Sequence, residues 1–331
     1  MKATSVLGNI VNFRDVQLLL SRLPTRAAQL VKRTLLSGRG RTIETYSRPV
    51  RNDQWWSVPA IQRRWNTLIS GDPAVDHYSW IANKHLGAGL RGLSVGCGEG
   101  ARELAWARTG RFSKILGVDL TPAAIDSARR NAKEAGLDSV VEFRVADVAD
   151  PKLNGAGDES FDVVIGEHSV HHITPLRRVL LALRDRLEPG GLFLLNEFVG
   201  PTRFQWTAEQ MRAINRLLPL LPVRLRRKAD GHIKAREYRP SLLYMVLNDP
   251  SEAVESSMIL PTMNELFEQV EIRPYGGTLL HLLLSKIGHN FEDGDQEAQA
   301  WLSVLAQIED RMLASKMLEH DFAVAVYRKA S

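Results

Sequence analysis

The sequence predicts an α/β protein: a doubly wound sheet, preceded by a helical segment and followed by a helical insertion. Three observations carry this. From about residue 90, short apolar runs suited to strands alternate with amphipathic stretches suited to helices, the texture of βαβ units. The first such strand runs into a glycine-rich loop, Gly96-Cys97-Gly98-Glu99-Gly100, placed to open a helix. The chain is 331 residues long, 44% apolar and 24% charged, enough for a large core without staples.

Taken in order, strands are expected at 92–95, 114–118, 140–145, 161–165 and 191–196, with helices near 100–109, 122–135 and 175–187. Thr121-Pro122 reads as a helix start, a hydroxyl cap followed by proline in the first turn. Gly136 reads as a helix stop, and Pro189-Gly190-Gly191 as a turn before the fifth strand. Beyond residue 200 the pattern loosens. Residues 217–225 are apolar but broken by Pro219 and Pro222, and 270–273 suggest a short strand. A helix is expected over 295–319 and a last strand over 322–327. The organisation is therefore a basic helical cap (1–80), a ligand-binding core (81–200), a basic helical lid or insertion (201–265), and the end of the sheet with a helical insertion (266–331).

Charge is unevenly spread. The net charge is +5, yet residues 1–50 carry nine basic against two acidic side chains, and residues 212–239 repeat that ratio. Two basic islands on an acidic body suit a polyanionic partner, either phosphate groups or an anionic membrane surface; a merely solvated surface is the alternative. The N-terminal stretch lacks the apolar core of a secretory signal. It reads first as a peripheral docking or lid element and second as a transit peptide. No apolar run is long enough for a membrane span, and the single cysteine, Cys97, excludes an internal disulfide. A cytoplasmic location, with peripheral membrane contact, is expected.

The glycine loop has two possible ligands. Gly96, Gly98 and Ala101 also satisfy the dinucleotide fingerprint, with Asp119 as the acid about 20 residues on. The structural alternatives are a bare tight turn for the glycines, a helix-entry residue for Asp119 and a loop acid for Asp147.

Five motifs in order narrow the choice. They are Leu93-Ser94-Val95-Gly96-Cys97-Gly98-Glu99-Gly100, then Gly117-Val118-Asp119-Leu120-Thr121-Pro122, then Ala146-Asp147-Val148, then Phe161-Asp162-Val163-Val164-Ile165, and finally Leu187-Glu188-Pro189-Gly190-Gly191. The series resembles the class I S-adenosylmethionine-dependent methyltransferases, over about a third of the chain. His171-His172-Ile173 is similar to the loop of members that act on small molecules. The resemblance implies a Rossmann-like, mostly parallel sheet with an antiparallel C-terminal strand, and S-adenosylmethionine as cofactor. It implies that Gly96, Cys97, Gly98 and Gly100 cradle the cofactor, that Asp119 and Leu120 meet the ribose, and that Asp147 and Val148 meet the adenine. One position departs from the family: Ser94 stands where many members carry an acid. Glu99 and Glu167 are the candidates to replace it, and Glu167 is counted with the cofactor-binding residues.

Methyl transfer to an alcohol also needs a base. His171 ranks first, His168 second and His172 third, with Glu197 the candidate carboxylate; capping or backbone bonding is the alternative role for any of them. Three histidines in five residues raise the question of a metal, but no carboxylate set accompanies them in sequence, so none is expected. Trp55 and Trp56 could wall a cleft or pack as core. Together with His172, Arg224 and Arg227 they are the candidate acceptor contacts. The expected reaction is methyl transfer to an oxygen, or a nitrogen, of a small or lipid-linked, anionic acceptor. A non-catalytic scaffold with the same fold and a nucleic-acid methyltransferase stay open as alternatives, although no nucleic-acid recognition module is visible. The oligomeric state is not legible.

Overall fold

The computed structural model describes residues 54–150 and 159–330. The N-terminal basic island lies outside the described residues.

Two helices lead in: α1 (Pro59–Ser70) and α2 (His77–His85), the latter capped by Asp76, whose carboxylate accepts from the Ser79 N–H at 2.8 Å. The core follows as β1 (Leu90–Val95), α3 (Ala101–Arg108), β2 (Phe112–Asp119), α4 (Pro122–Glu134), β3 (Val141–Val145), β4 (Phe161–Glu167), α5 (Leu176–Asp185) and β5 (Leu187–Phe198). Then come α6 (Ala208–Leu217), α7 (Leu242–Asn248), α8 (Ile259–Leu266), β6 (Glu268–Gly276), α9 (Leu280–Leu284), α10 (Gln296–Ala314) and β7 (Phe322–Arg328).

The strands form one sheet in the order β3-β2-β1-β4-β5-β7-β6. The first five pair parallel, while β7 runs antiparallel between β5 and β6. The strand order reverses between β1 and β4, the place at the carboxyl edge where ligands of open parallel sheets gather. Side-chain alternation divides the core between the two faces. On β4, Val163 and Ile165 join one buried cluster and Val164 the other; on β7, Val324 and Val326 part from Ala325 and Tyr327 in the same way. Helix α5 buries Leu176, Val179, Leu180 and Leu183, an i, i+3, i+4, i+7 stripe, against the second face. Helices α3 and α4 cover the first face, with α1, α2 and α10 extending that cluster.

Some details differ from the sequence reading. Pro189-Gly190-Gly191 lies inside β5, as an irregularity where Phe161 pairs Leu187 but Val163 pairs Leu192; Gly190 takes φ 75° there. Extra residues are absorbed in a bulge, which the turn residues permit. Thr121 occupies the cap position of α4, but its hydroxyl makes no capping bond. The last long helix ends at Ala314, and the expected boundary at 80/81 falls within α2.

Candidate functional site

The glycine loop is shaped by close contacts on one side and open space on the other. Gly96 has φ 67°, and an added Cβ would lie 2.5 Å from the Cβ of Ser169, so no side chain fits. Gly98 has φ 53° but nothing within 4 Å of an added Cβ: its bare backbone faces open ground. Gly100, at φ 82°, starts α3. The loop is tied to β2 by the Gly96 and Cys97 N–H groups, which donate to the Val118 carbonyl at 2.8 and 3.1 Å. Asp119 completes the tie. One of its oxygens accepts from the Gly98 N–H at 2.9 Å, the other from the Thr121 N–H at 2.8 Å. Each oxygen keeps a lone pair for a ligand hydroxyl. Leu120 sits beside it, half-buried. At the end of β3, Asp147 accepts from the Ala149 N–H at 2.9 Å, next to half-buried Val148. Cys97 is buried, and burial pushes its thiol well above the ordinary range, so it is no nucleophile. An open glycine flanked by a fixed carboxylate suits an adenosyl cofactor.

Ser94 finds its acid elsewhere than expected. Its hydroxyl donates to Glu103 Oε1 at 2.5 Å, and the other Glu103 oxygen is buried with no hydrogen-bond partner. Glu103 is 1% exposed; burial pushes its carboxyl up to about 7, against the opposing Ser94 hydrogen bond. Glu99 is exposed, and Glu167 is engaged with other groups. Helix α3 thus brings a buried acid to the Ser94 side chain on β1. Glu103 shares the inward face of α3 with Trp106 and Ala107, and an acid on an apolar helix face is the signal that could have found it.

Glu167, at the end of β4, gathers two donors and an imidazole. Trp106 Nε1 donates at 2.7 Å, Tyr78 Oη at 3.2 Å, and His77 Nε2 lies at 3.3 Å. Burial raises the carboxyl, but His77, Arg102 and the Trp106 N–H outweigh it, leaving Glu167 below its ordinary value. Asn196 reaches both His77 and the Tyr275 hydroxyl, at 3.3 and 2.8 Å. Helix α2 is thereby joined to the carboxyl edge of β4 and β5.

The histidine segment forms a second cluster. His168 leaves β4 in a strained backbone conformation, φ 49°, and burial holds its imidazole well below the usual value. Glu197 accepts from the Ser169 and Val170 N–H groups at 2.5 and 2.6 Å with one oxygen, and meets His171 Nδ1 at 2.6 Å with the other. The far nitrogen of His171 lies 3.5 Å from Glu252 Oε1. Burial lowers His171, but Glu197, helped by Glu252, outweighs that effect and leaves it raised. His172 is lowered well, by burial and then by His171, against a hydrogen bond to the Ser251 backbone. Glu252 comes from the segment after α7, 81 positions from His171, so no local pattern announces it.

The remaining expected contacts lie elsewhere. Trp55 is 1% exposed and packs on Trp65 and Phe322, at ring distances of 4.7 and 5.0 Å, so it is core and no cleft wall; Trp56 is 44% exposed. Arg224 is held by Asp295 and Glu297 at the start of α10, its charge answered within the chain. Arg227 donates to the Gly231 carbonyl at 3.2 Å. Lys234 is 4% exposed, its ammonium donating to the carbonyls of Leu282 and Ser285 at 2.5 and 2.8 Å, which makes it a structural peg. The second basic island is therefore partly internal, with Arg212, Arg216, Arg224, Arg227 and Arg236 on the surface.

Comparison with known proteins adds the following. Residues 93–195 match a family model described as a methyltransferase domain. A ubiquinone biosynthesis O-methyltransferase of Xanthomonas axonopodis pv. citri is 30% identical over 168 residues, covering 50% of this chain and 66% of the relative. One from Cereibacter sphaeroides is 38% identical over 106 residues, covering 32% and 40%. The matches thus span 66% or less of these relatives' own length. Geranyl diphosphate methyltransferase, solved in complex with GPP and sinefungin, superposes with a TM-score of 0.47 at 14% identity, covering 80% of this chain and 82% of that one.

Proposed function

We propose that this chain, which carries a class I S-adenosylmethionine-dependent methyltransferase domain over residues 93–195, moves a methyl group from S-adenosylmethionine to an oxygen of a small or lipid-linked acceptor. The observation that carries the reading is the pairing of open ground above Gly98 with the fixed carboxylate of Asp119. In this assignment the backbone of Gly96, Cys97, Gly98 and Gly100 holds the cofactor, Asp119 and Leu120 take the ribose, and Asp147 and Val148 take the adenine. Bound there, the cofactor supplies an electrophilic methyl carbon on a sulfonium sulfur.

The chain's own work is then to hold an acceptor atom in line behind that carbon, at roughly 3–3.5 Å. His171, aligned by Glu197, and His168 are assigned to the acceptor side, because they leave β4 where ligands of parallel sheets gather. Oxygen is preferred as the acceptor atom because the curated relatives are O-methyltransferases by name. Glu103 weighs against a non-catalytic scaffold, since it puts a carboxylate beside Ser94, the position whose missing acid favoured that alternative.

Residues 201–265 are read as a lid that selects the acceptor. A groove lined by Met211, Arg212, Asn215, Arg216, Pro219 and Arg236 offers positive charge. On α7, Leu242, Leu243 and Val246 are exposed apolar residues. Together these suit an amphiphile with an anionic group, or the surface of an anionic membrane. Among the described residues no helix is long and apolar enough to cross a membrane.

The test is incubation of the protein with cell extract and isotopically labelled methyl donor, followed by untargeted mass spectrometry. One labelled metabolite is expected. Calorimetry that detects no binding of S-adenosylmethionine, together with no labelled product, would overturn the reading.

A further inference from the structure

We propose that His171, His172 and Glu252 form a binding site for one divalent metal ion of the zinc class, set between the core and the 201–265 insertion. One ligand atom from each of the three residues lies within 4.8 Å of the others. Two atoms bound at about 2.0 Å to one tetrahedral ion stand roughly 3.3 Å apart. His171 Nε2 and Glu252 Oε1 are 3.5 Å apart, close to that spacing.

The surroundings support each ligand. His171 is turned by Glu197, which grips Nδ1 and is itself held by two backbone N–H groups. A carboxylate behind a ligating imidazole fixes the ring and strengthens its metal-facing nitrogen. His172 is oriented by its hydrogen bond to the Ser251 backbone. Glu252 is carried by a segment docked on the same turn: the Val254 N–H donates to the His171 carbonyl at 3.2 Å, and the Arg203 N–H to the Ala253 carbonyl at 2.6 Å. Ala253 accepts a left-handed backbone, φ 48°, to make this approach. Two carboxylates, Glu197 and Glu252, flank the two nitrogens of the His171 imidazole. Two nitrogens and one carboxylate oxygen form a set that leaves a fourth position open. Such an ion would pin the insertion to the core. Its second role, presenting an open coordination position to the acceptor oxygen, rests on the methyl-transfer reading.

The test uses the full chain, freed of any purification tag and stripped by chelator. Zinc chloride is titrated by calorimetry, and cobalt(II) is followed by its visible absorption. One equivalent of each is expected, with cobalt bands typical of a low-coordinate nitrogen-containing site. Glu252→Gln and His172→Ala should each weaken uptake at least tenfold while keeping the wild-type circular dichroism. Binding of S-adenosylmethionine is measured in parallel. Zinc uptake without cofactor binding would retain the metal site and remove the methyl-transfer reading. No stoichiometric uptake, or uptake equally tight in both variants, would overturn the metal site.

Discussion

The two sides of the sheet edge are built by different means. Over β1, β2 and β3, contiguous stretches of chain make the site: the loop glycines, Asp119 and Asp147 are held chiefly by backbone N–H groups a few positions away or on the next strand. Over β4 and β5, side chains from distant segments meet: His77 and Tyr78 from the lead-in helix, Trp106 from α3, Glu197 from β5 and Glu252 from the insertion. A shared ligand needs a fixed backbone shape, which short motifs can encode. A selective pocket needs many independent side chains, which only the completed fold brings together.

Mutation can break or sharpen that contrast. The largest effect is expected from Asp119→Ala, which leaves two backbone donors without their acceptor and removes the proposed ribose contact. Affinity for S-adenosylmethionine should fall by about 100-fold or more, read by calorimetry. Normal affinity would dissolve the cofactor side as drawn. His171→Ala should do the converse: cofactor affinity unchanged, but labelled-methyl turnover lowered by about 100-fold through lost placement of the acceptor. Equal loss in both measurements would mean that the two sides are not separable.

Glu103→Gln probes the acid borrowed from α3, and cofactor affinity should drop about tenfold. Stability should move the other way. Burial holds Glu103 near 7, above its ordinary 4.5, so the native state favours the protonated form. The wild type then loses stability as pH rises from about 4.5 through 7, by about 3 kcal/mol in total, and the glutamine variant escapes that loss. Urea unfolding at pH 5 and pH 8 should show the variant gaining on the wild type at the higher pH. A constant difference would sink the assignment. The smallest effect belongs to the insertion surface: Arg216→Ala should weaken binding to anionic vesicles roughly fivefold, about 1 kcal/mol, in low-salt sedimentation. Absence of any wild-type binding would remove the membrane contact.

The same contrast governs what could be read from the sequence. The five parallel strands were legible to within a few residues, because alternation and turn residues are local signals. Asp119 and the loop glycines are legible for the same reason. Glu103 was missed because a strand acid was sought near the strand, and one turn of helix returned it from beyond the loop. Glu252 could not be paired with His171 by any spacing rule. Trp55 was left between two roles, since an aromatic beside a proline looks alike in a core and in a cleft. Lys234, part of the second basic island by sequence, is buried and crowns the end of α9, whereas Arg224, read as an acceptor contact, is exposed and clamps the start of α10.

The double grip on Asp119 also decides which replacements the position tolerates. Peptide hydrogens approach it from two directions, Gly98 on one side and Thr121 on the other, and each claims an oxygen. Asparagine, identical in outline, owns only one oxygen, so its amino group must confront one of those hydrogens head-on. The mildest exchange on paper would therefore loosen the loop even before any nucleoside arrives, and scaffold and binding surface would fail together.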